Sequence, residues 1–472
     1  MKRFDLAVVG HGAAGLAAAL AAAEAAPQSR IAVIEVTAQS ASGGGTRWSP
    51  SNMRMKSPVE VVAGFEADMM AACGGRGDRA YFATLAKDAP DAVQWVQRHG
   101  VEFHSPGYYL SAGPPRIQPV GGGAAIVDCL AKAARAAGVQ FLYECRAQKL
   151  LRGPSGRIDG VLVTKPDGAS MEIGAGAVVL ASGGFQGSPA MLREHLGEGA
   201  ESLRPISEGS AHDEGDGIRM ALEAGAQKSG DWNGMHSEPI DPRSTGPAPV
   251  VLVYPYGIVV DAGGRRFFDE GRGLVHETWE EFSRAIHFST PGRRAWAILD
   301  SRLEEVADYG RAIRSEVPPV RAGSIDVLAS LTGIDAQGLR NTVAGYNAAC
   351  TGEASRFDAT VADGLRASGS LTPPKSNWAR ALDRPPYLAW PLIGSIAYTF
   401  GGIATNDTAE VLGASGPIPG LYAAGEITGH FHRSAPNAVA VMRALVYGRI
   451  AGRTAAARIE ATTNQSKQRQ AS

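Results

Sequence analysis

The apolar positions at the start of the chain change period twice within forty residues. Residues 4–10 (FDLAVVG) form a short apolar run of the kind a buried strand shows. Residues 13–26 are alanine-rich and helical in character, and residues 30–36 (RIAVIEV) read as a second strand. Strand, helix and strand in this order predict a βαβ unit. A loop rich in Gly and Ser follows at residues 38–52. Residues 80–100 and 124–138 read as helices, each closed by a glycine, with the first divided at Pro90. From residue 139 to 185 strands alternate with turn signals, among them Pro166-Asp167-Gly168, and end in an apolar strand at residues 177–181 before Ser182-Gly183-Gly184. The pattern changes again after Asp216. Residues 232–370 mix short strands, helices and polar loops, which predicts an inserted second domain. Glycine-rich strands return near residues 399–402 and 420–425, a helix is expected over 437–460, and the polar tail 462–472 is expected to be disordered.

Composition narrows the class. At about 150 residues per domain, 472 residues suggest two or three domains. The 46 basic and 47 acidic residues leave a net charge of -1, which excludes a global field for nucleic acid or anionic membranes. Any bound anion must be met by a local cluster. Cys73, Cys129, Cys145 and Cys350 have no CxxC spacing and no companion histidines, so no metal site, disulfide framework or iron–sulfur cluster is expected, and a reducing cytoplasm fits. Lys2 and Arg3 before an apolar stretch imitate a signal peptide. That stretch, however, carries His11, three glycines at motif spacing and Glu24. Elsewhere no apolar run reaches the roughly 20 residues that span a bilayer, so a soluble chain is expected.

Gly10-His11-Gly12-Ala13-Ala14-Gly15 is a GxGxxG between the first strand and the first helix, and Glu35 lies twenty residues beyond Gly15. Gly10 allows the tight turn, Gly12 lets backbone approach a pyrophosphate, and Gly15 permits close helix–strand packing. The helix N-terminus, with Ala14 in its first turn, faces the phosphates, and Glu35 accepts from ribose hydroxyls. The fingerprint alone does not separate FAD from NAD.

Three further segments extend the picture: Gly43-Gly44-Gly45-Thr46-Arg47-Trp48, the run SAHDEGDGIRM at residues 210–220, and GLYAAGEITGHFHRSAPNAVAVMRALVYGRIAG at residues 420–452. With the fingerprint they resemble the flavoprotein family of fumarate reductase and succinate dehydrogenase, and within it the tricarballylate dehydrogenase-like branch. The resemblance implies an α/β fold. A Rossmann-like FAD-binding domain is built from residues 1–231 and 396–461, and an α+β capping domain, 232–395, is inserted over the flavin. It implies FAD contacts from Gly43, Gly44, Thr46 and Arg47, from Asp216, and from Glu426, Asn437 and Val439, with Ala147, Ser182 and Gly183 between them. The helix near Asn437 would aim its N-terminus at the flavin's pyrimidine end. Some members attach flavin through a histidine just before the GGxT loop. Residues 38–42 (AQSAS) hold none, so FAD is expected to be non-covalent.

The family moves a hydride between flavin N5 and one carbon of a C–C bond beside a carboxylate, with a proton moving at the neighbouring carbon. His236 matches a block that contacts substrate carboxylate, and Arg433 stands four residues before Asn437, with His430 and His432 beside it. Gly264-Arg265-Arg266-Phe267-Phe268-Asp269-Glu270 resembles a G-x-R-F-x-x-E block that precedes a proton-transferring arginine. Arg272 is the nearest candidate, Leu274 occupies the family spacing, and His276 is a rival. The expected catalytic set is therefore Arg272, His236, His432 and Arg433. Where the family strand reads His-His-Thr-Met-Gly-Gly, Ala397 and Tyr398 replace both histidines, which argues against fumarate itself. The resemblance implies oxidation or reduction of a polycarboxylate, tricarballylate to cis-aconitate being the example. Electrons would pass to a separate partner such as a membrane-associated iron–sulfur protein. A 3-ketosteroid 1-dehydrogenase-like enzyme is the alternative, kept open by Tyr254, Tyr256 and Tyr398. A fumarate reductase-like enzyme for another unsaturated acid and a non-catalytic flavin subunit are the other readings.

Overall fold

The computed structural model describes residues 2–107, 110, 113–369 and 371–471, with side chains as far as Ile459. The first strand, Lys2–Val9, buries Leu6, Ala7 and Val8 completely, which requires cover on both faces. It lies between Ile31–Ile34 and Ser170–Leu180 in a parallel sheet. Gln140–Leu142 and Gly416–Ala423 extend that sheet in the same sense, and Glu410–Gly413 closes one edge antiparallel. An antiparallel meander, Arg146–Arg152 and Ile158–Thr164, pairs with the first half of Ser170–Leu180. This is the expected α/β fold, with its last parallel strand arriving from the far end of the chain.

The first helix, Ala13–Ala25, is buried from Ala13 to Ala23, and the last helix, Ala440–Ala471, lies on it. Two glycines four apart make that contact possible. A Cβ on Gly448 would sit 2.5 Å from the Ala14 carbonyl oxygen, and one on Gly452 would sit 2.1 Å from that of Ala18. The chain's two distant segments are therefore joined backbone to backbone.

A second sheet centres on Tyr387–Ile396. Ala295–Leu299 pairs with it antiparallel and carries Ile258–Val260 on its far side, while Val320–Ala322 and Pro239–Ile240 also pair with the central strand. Helices Val275–Ser289, Ile325–Thr332 and Ala336–Ala349 accompany it. One strand, Arg204–Pro205, joins this sheet from before residue 232. The division at residues 231/232 and 395/396 we retain as a proposal.

Two expectations need correction. Arg79–Arg98 is a single helix with Pro90 inside it, where the Gln94 side chain donates to the Pro90 carbonyl. The polar tail at 462–472 is not a disordered strand of chain, because the last helix continues to Ala471; Ser472 lies outside the described residues. Among the described residues no helix is long and apolar enough to cross a membrane.

Gly452→Leu should force the two helices apart. Overpacking of this kind costs about 1–3 kcal/mol, and thermal unfolding should register the loss while an exposed control on the same helix does not.

Candidate active site

One cavity of about 1300 Å³ runs from the carboxyl ends of the parallel strands to the underside of the second sheet. Of the expected cofactor residues, Gly10, Gly12, Ala14, Glu35, Gly44, Thr46, Ala147, Ser182, Gly183, Asp216, Glu426, Asn437 and Val439 line it. Gly15, Gly43 and Arg47 do not. Gly15 lies beneath the turn, where a Cβ would be 2.0 Å from the Gly10 carbonyl oxygen, so its role is packing. Gly43 has φ 124° and caps the short helix Gly44–Trp48. Arg47 turns outward, its guanidinium donating to the Ser42 carbonyl (2.5 Å) and to Asp128 (2.7 Å).

The fingerprint turn is set for an anionic ligand. Gly10 adopts φ 111°, with the Ala181 carbonyl oxygen 2.3 Å from where its Cβ would be, so only glycine fits. The Thr46 hydroxyl accepts from the Ala13 N–H at 3.3 Å, while the N–H groups of Ala14 and Gly15 have no acceptor among the described residues. Glu35 is buried and held by the N–H groups of His11 (3.0 Å) and Thr37 (2.9 Å) and by the Thr37 hydroxyl (2.7 Å). Free N–H groups at a helix start, with a fixed carboxylate beyond them, fit the pyrophosphate and ribose of FAD.

Deeper in, two carboxyl groups share one amide. Gln186 donates to Asp213 (2.6 Å) and to Glu426 (3.2 Å), and Glu426 also accepts from the Thr399 N–H at 3.0 Å. Burial raises Glu426 to about 7, and burial with repulsion from Glu426 and Glu35 pushes Asp213 well above the usual carboxylate range. Asp213 and Gln186 were not singled out in the sequence. Asp213 stands three residues before Asp216, which lines the same cavity at its rim and is paired with Arg146 and Arg219. Composition cannot tell the buried acid from the paired one.

The far chamber differs more from expectation. His236 lies on a two-residue strand, Met235–His236, paired with Tyr398–Thr399. Its imidazole is clamped between Glu238 (3.1 Å) and Glu280 (3.4 Å). Burial alone would lower its pKa, but the hydrogen bonds and charges of the two glutamates outweigh that and raise it to about 10. His236 is thus an imidazolium already spent on protein carboxylates. Glu280 also accepts from the Ala435 N–H (3.4 Å), and the Tyr398 ring lies 4.9 Å from that of His236. Arg433 lines the cavity from a left-handed backbone position, φ 60°, its N–H donating to Asp231 (3.2 Å).

Of the remaining candidates, all but His276 lie outside. Arg272 is half exposed and pairs with Glu281 on the surface, because it precedes the helix Val275–Ser289 rather than lying beneath it. His432 does not line the cavity, and burial lowers its pKa. His430 is stacked on Tyr81 and bonded to Thr405 (3.1 Å). The G-x-R-F-x-x-E block is structural. Arg266 holds Glu270 at 2.6 Å with both side chains buried, and Lys375 caps the Pro255 and Gly257 carbonyls beside them. His276 does line the cavity, and burial lowers its pKa, with Glu277 opposing. The sequence also missed Arg443, buried in the first turns of the last helix and facing this chamber.

A family model described as an FAD binding domain matches residues 5–438. A probable fumarate reductase of Shewanella frigidimarina (strain NCIMB 400) is 30% identical over 95% of this chain and 74% of that protein. The open conformation of a flavocytochrome c3 fumarate reductase superposes with a TM-score of 0.80 at 27% identity, covering 97% of this chain and 79% of that one. A 3-ketosteroid-Δ4-(5α)-dehydrogenase from Rhodococcus jostii RHA1, in complex with 4-androstene-3,17-dione, gives a TM-score of 0.70 at 25% identity, over 96% and 97% of the two chains.

The clamped imidazolium makes stability depend on pH with a definite sign. Its pKa is raised from 6.5 to about 10 on folding, so its contribution is complete below pH 6.5 and is lost as pH rises through 10. His236→Gln leaves two buried carboxylates facing each other and should cost roughly 3–5 kcal/mol near neutrality. The gap between variant and parent in thermal melts should narrow steadily from pH 6.5 to 10. A gap that is constant across that range would contradict the charged clamp.

Proposed function

From a chain that belongs to the FAD-binding domain family, and is an FAD-dependent dehydrogenase or reductase of CH–CH groups, we propose an enzyme that moves a hydride between flavin and the carbon–carbon bond of an unsaturated acid or its saturated counterpart. The observation that carries this reading is the continuity of the cavity, which joins the fingerprint turn to a chamber holding Arg433, Arg443, Tyr398 and His276. FAD, when bound, supplies the hydride acceptor or donor. The protein's part is to hold the carboxylate, exclude water and carry the proton. With Arg272 on the surface, we assign the proton to His276, which faces the cavity and is kept neutral by burial. Residues 38–42 hold no histidine, so we propose that FAD is non-covalent. We also propose that electrons reach or leave the flavin through a separate protein, of which a membrane-associated iron–sulfur protein is one form.

Tricarballylate is the most demanding candidate, because three carboxylates need several free cations once water is excluded. His236 is taken by protein acids, and Glu238, Glu277, Glu280 and Glu281 line the same cavity as Arg116, Arg284, Arg314, Arg433 and Arg443. The acids offset most of those cations, and we therefore favour an acid with fewer charges than tricarballylate. The steroid reading loses support from two of its tyrosines: Tyr254 bonds Thr278 and Tyr256 bonds the Ala359 carbonyl, and neither lines the cavity.

Anaerobic titration with saturated mono-, di- and tricarboxylates, or reoxidation of reduced protein by their unsaturated counterparts, should change the flavin absorbance. A 3-ketosteroid should not. Bleaching by the steroid alone would replace this reading. Acid precipitation should release the flavin, and His276→Gln should slow its reduction at least tenfold with FAD content unchanged.

A further inference from the structure

Arg443 and Arg449 belong to the same helix and are both buried, at 1% and 3% exposure, yet only one of them is neutralised. Arg449 reaches Asp91 at 2.8 Å. Among the described residues Arg443 has no carboxylate within ion-pair distance. It donates to the Thr428 carbonyl at 3.2 Å, its guanidinium lies 3.9 Å over the Phe431 ring, and its Nε has no acceptor. Burying a guanidinium without a counter-ion is among the most expensive things a fold can do. Glu426 feels the charge of Arg443 but is bonded to Thr399 and Gln186 instead. Arg443 nevertheless lines the cavity, as do Tyr398 and Asn437.

We infer that Arg443 is the specificity-determining cation of the chamber, and that its missing counter-charge is a carboxylate of the substrate. Of the other arginines that line this end of the cavity, Arg433 and Arg314 are exposed and placed to meet the anion first rather than to desolvate it, Arg284 is half-buried over the Phe288 ring, and Arg116 is buried but already partnered. A guanidinium fixed by a carbonyl and a ring face presents its remaining N–H groups in one plane, the geometry that suits a carboxylate held by two parallel bonds. The two glutamates that clamp His236 leave that part of the chamber with a net negative charge, which disfavours a second carboxylate. The inference rests on the reading that the cavity takes an unsaturated acid.

The test uses the oxidised, FAD-loaded protein and reads binding rather than turnover. Acrylate, fumarate and cis-aconitate are titrated while the flavin difference spectrum is followed. In Arg443→Met the dissociation constant of whichever acid binds the parent should rise about ten- to a hundredfold, and Arg443→Lys should fall between. Because no ion pair is lost, ligand-free Arg443→Met should melt no lower than the parent. A lower melting temperature or lost FAD would make the arginine structural. Unchanged acid binding would overturn the assignment, and a shifted flavin midpoint potential alongside it would move Arg443 to the flavin. A parent that responds to none of the acids would remove the functional reading itself, a failure distinct from a parent and variant that respond alike.

Discussion

A charge taken out of water must find a partner, and the interior of this protein is organised around that constraint. Glu35 is met by two backbone N–H groups and a hydroxyl. Asp213 and Glu426 share Gln186, and burial drives both toward the protonated form. His236 takes two glutamates, and Glu270 takes Arg266 with Lys375 nearby. Each solution uses up a residue whose charge might otherwise be read as chemistry. The groups left over, chiefly Arg443 and the N–H groups at the start of the first helix, mark where a ligand's charge belongs.

These charges can be placed only because the backbone brings distant segments together. Gly448 and Gly452 let the last helix lie directly on Ala14 and Ala18, so the helix that bears Arg443 is fixed relative to the fingerprint turn. Tyr398–Thr399 then links the two halves of the cavity. The Thr399 N–H serves Glu426 on one side, and Tyr398 pairs with His236 on the other. A shift in this short strand would move both sites at once.

What could be read from the sequence was what depends on neighbours in the chain. GxGxxG, Glu35 and the closing glycine-rich segment specify their own geometry over a few residues, and nearly all of those positions meet in the cavity. The substrate side depends on partners far away. Glu280 reaches His236 across 44 residues and turns an expected carboxylate ligand into a clamped cation. Arg272 looked suitable because it follows Glu270, but that spacing says nothing of which way the chain enters the helix Val275–Ser289. Arg443 carries no motif. It is one arginine in a largely buried run, and only the absence of a carboxylate partner among the described residues distinguishes it from Arg449.

Glu280 draws these threads into one mechanical consequence. It stands on the helix Val275–Ser289 beside the second sheet, bonds an imidazolium on a strand paired to the flavin side, and accepts from the N–H of Ala435 in the closing loop. Three elements that line the cavity from different directions are therefore tied by one carboxylate. Separating that helix from the loop would have to break a charge-assisted bond and leave Glu238 alone with the imidazolium. The energetic cost of that step falls on the chamber rather than on the flavin side, whose own contacts do not involve Glu280. The tie is therefore local to the substrate end, and it reaches the buried acid pair only through the short strand Tyr398–Thr399.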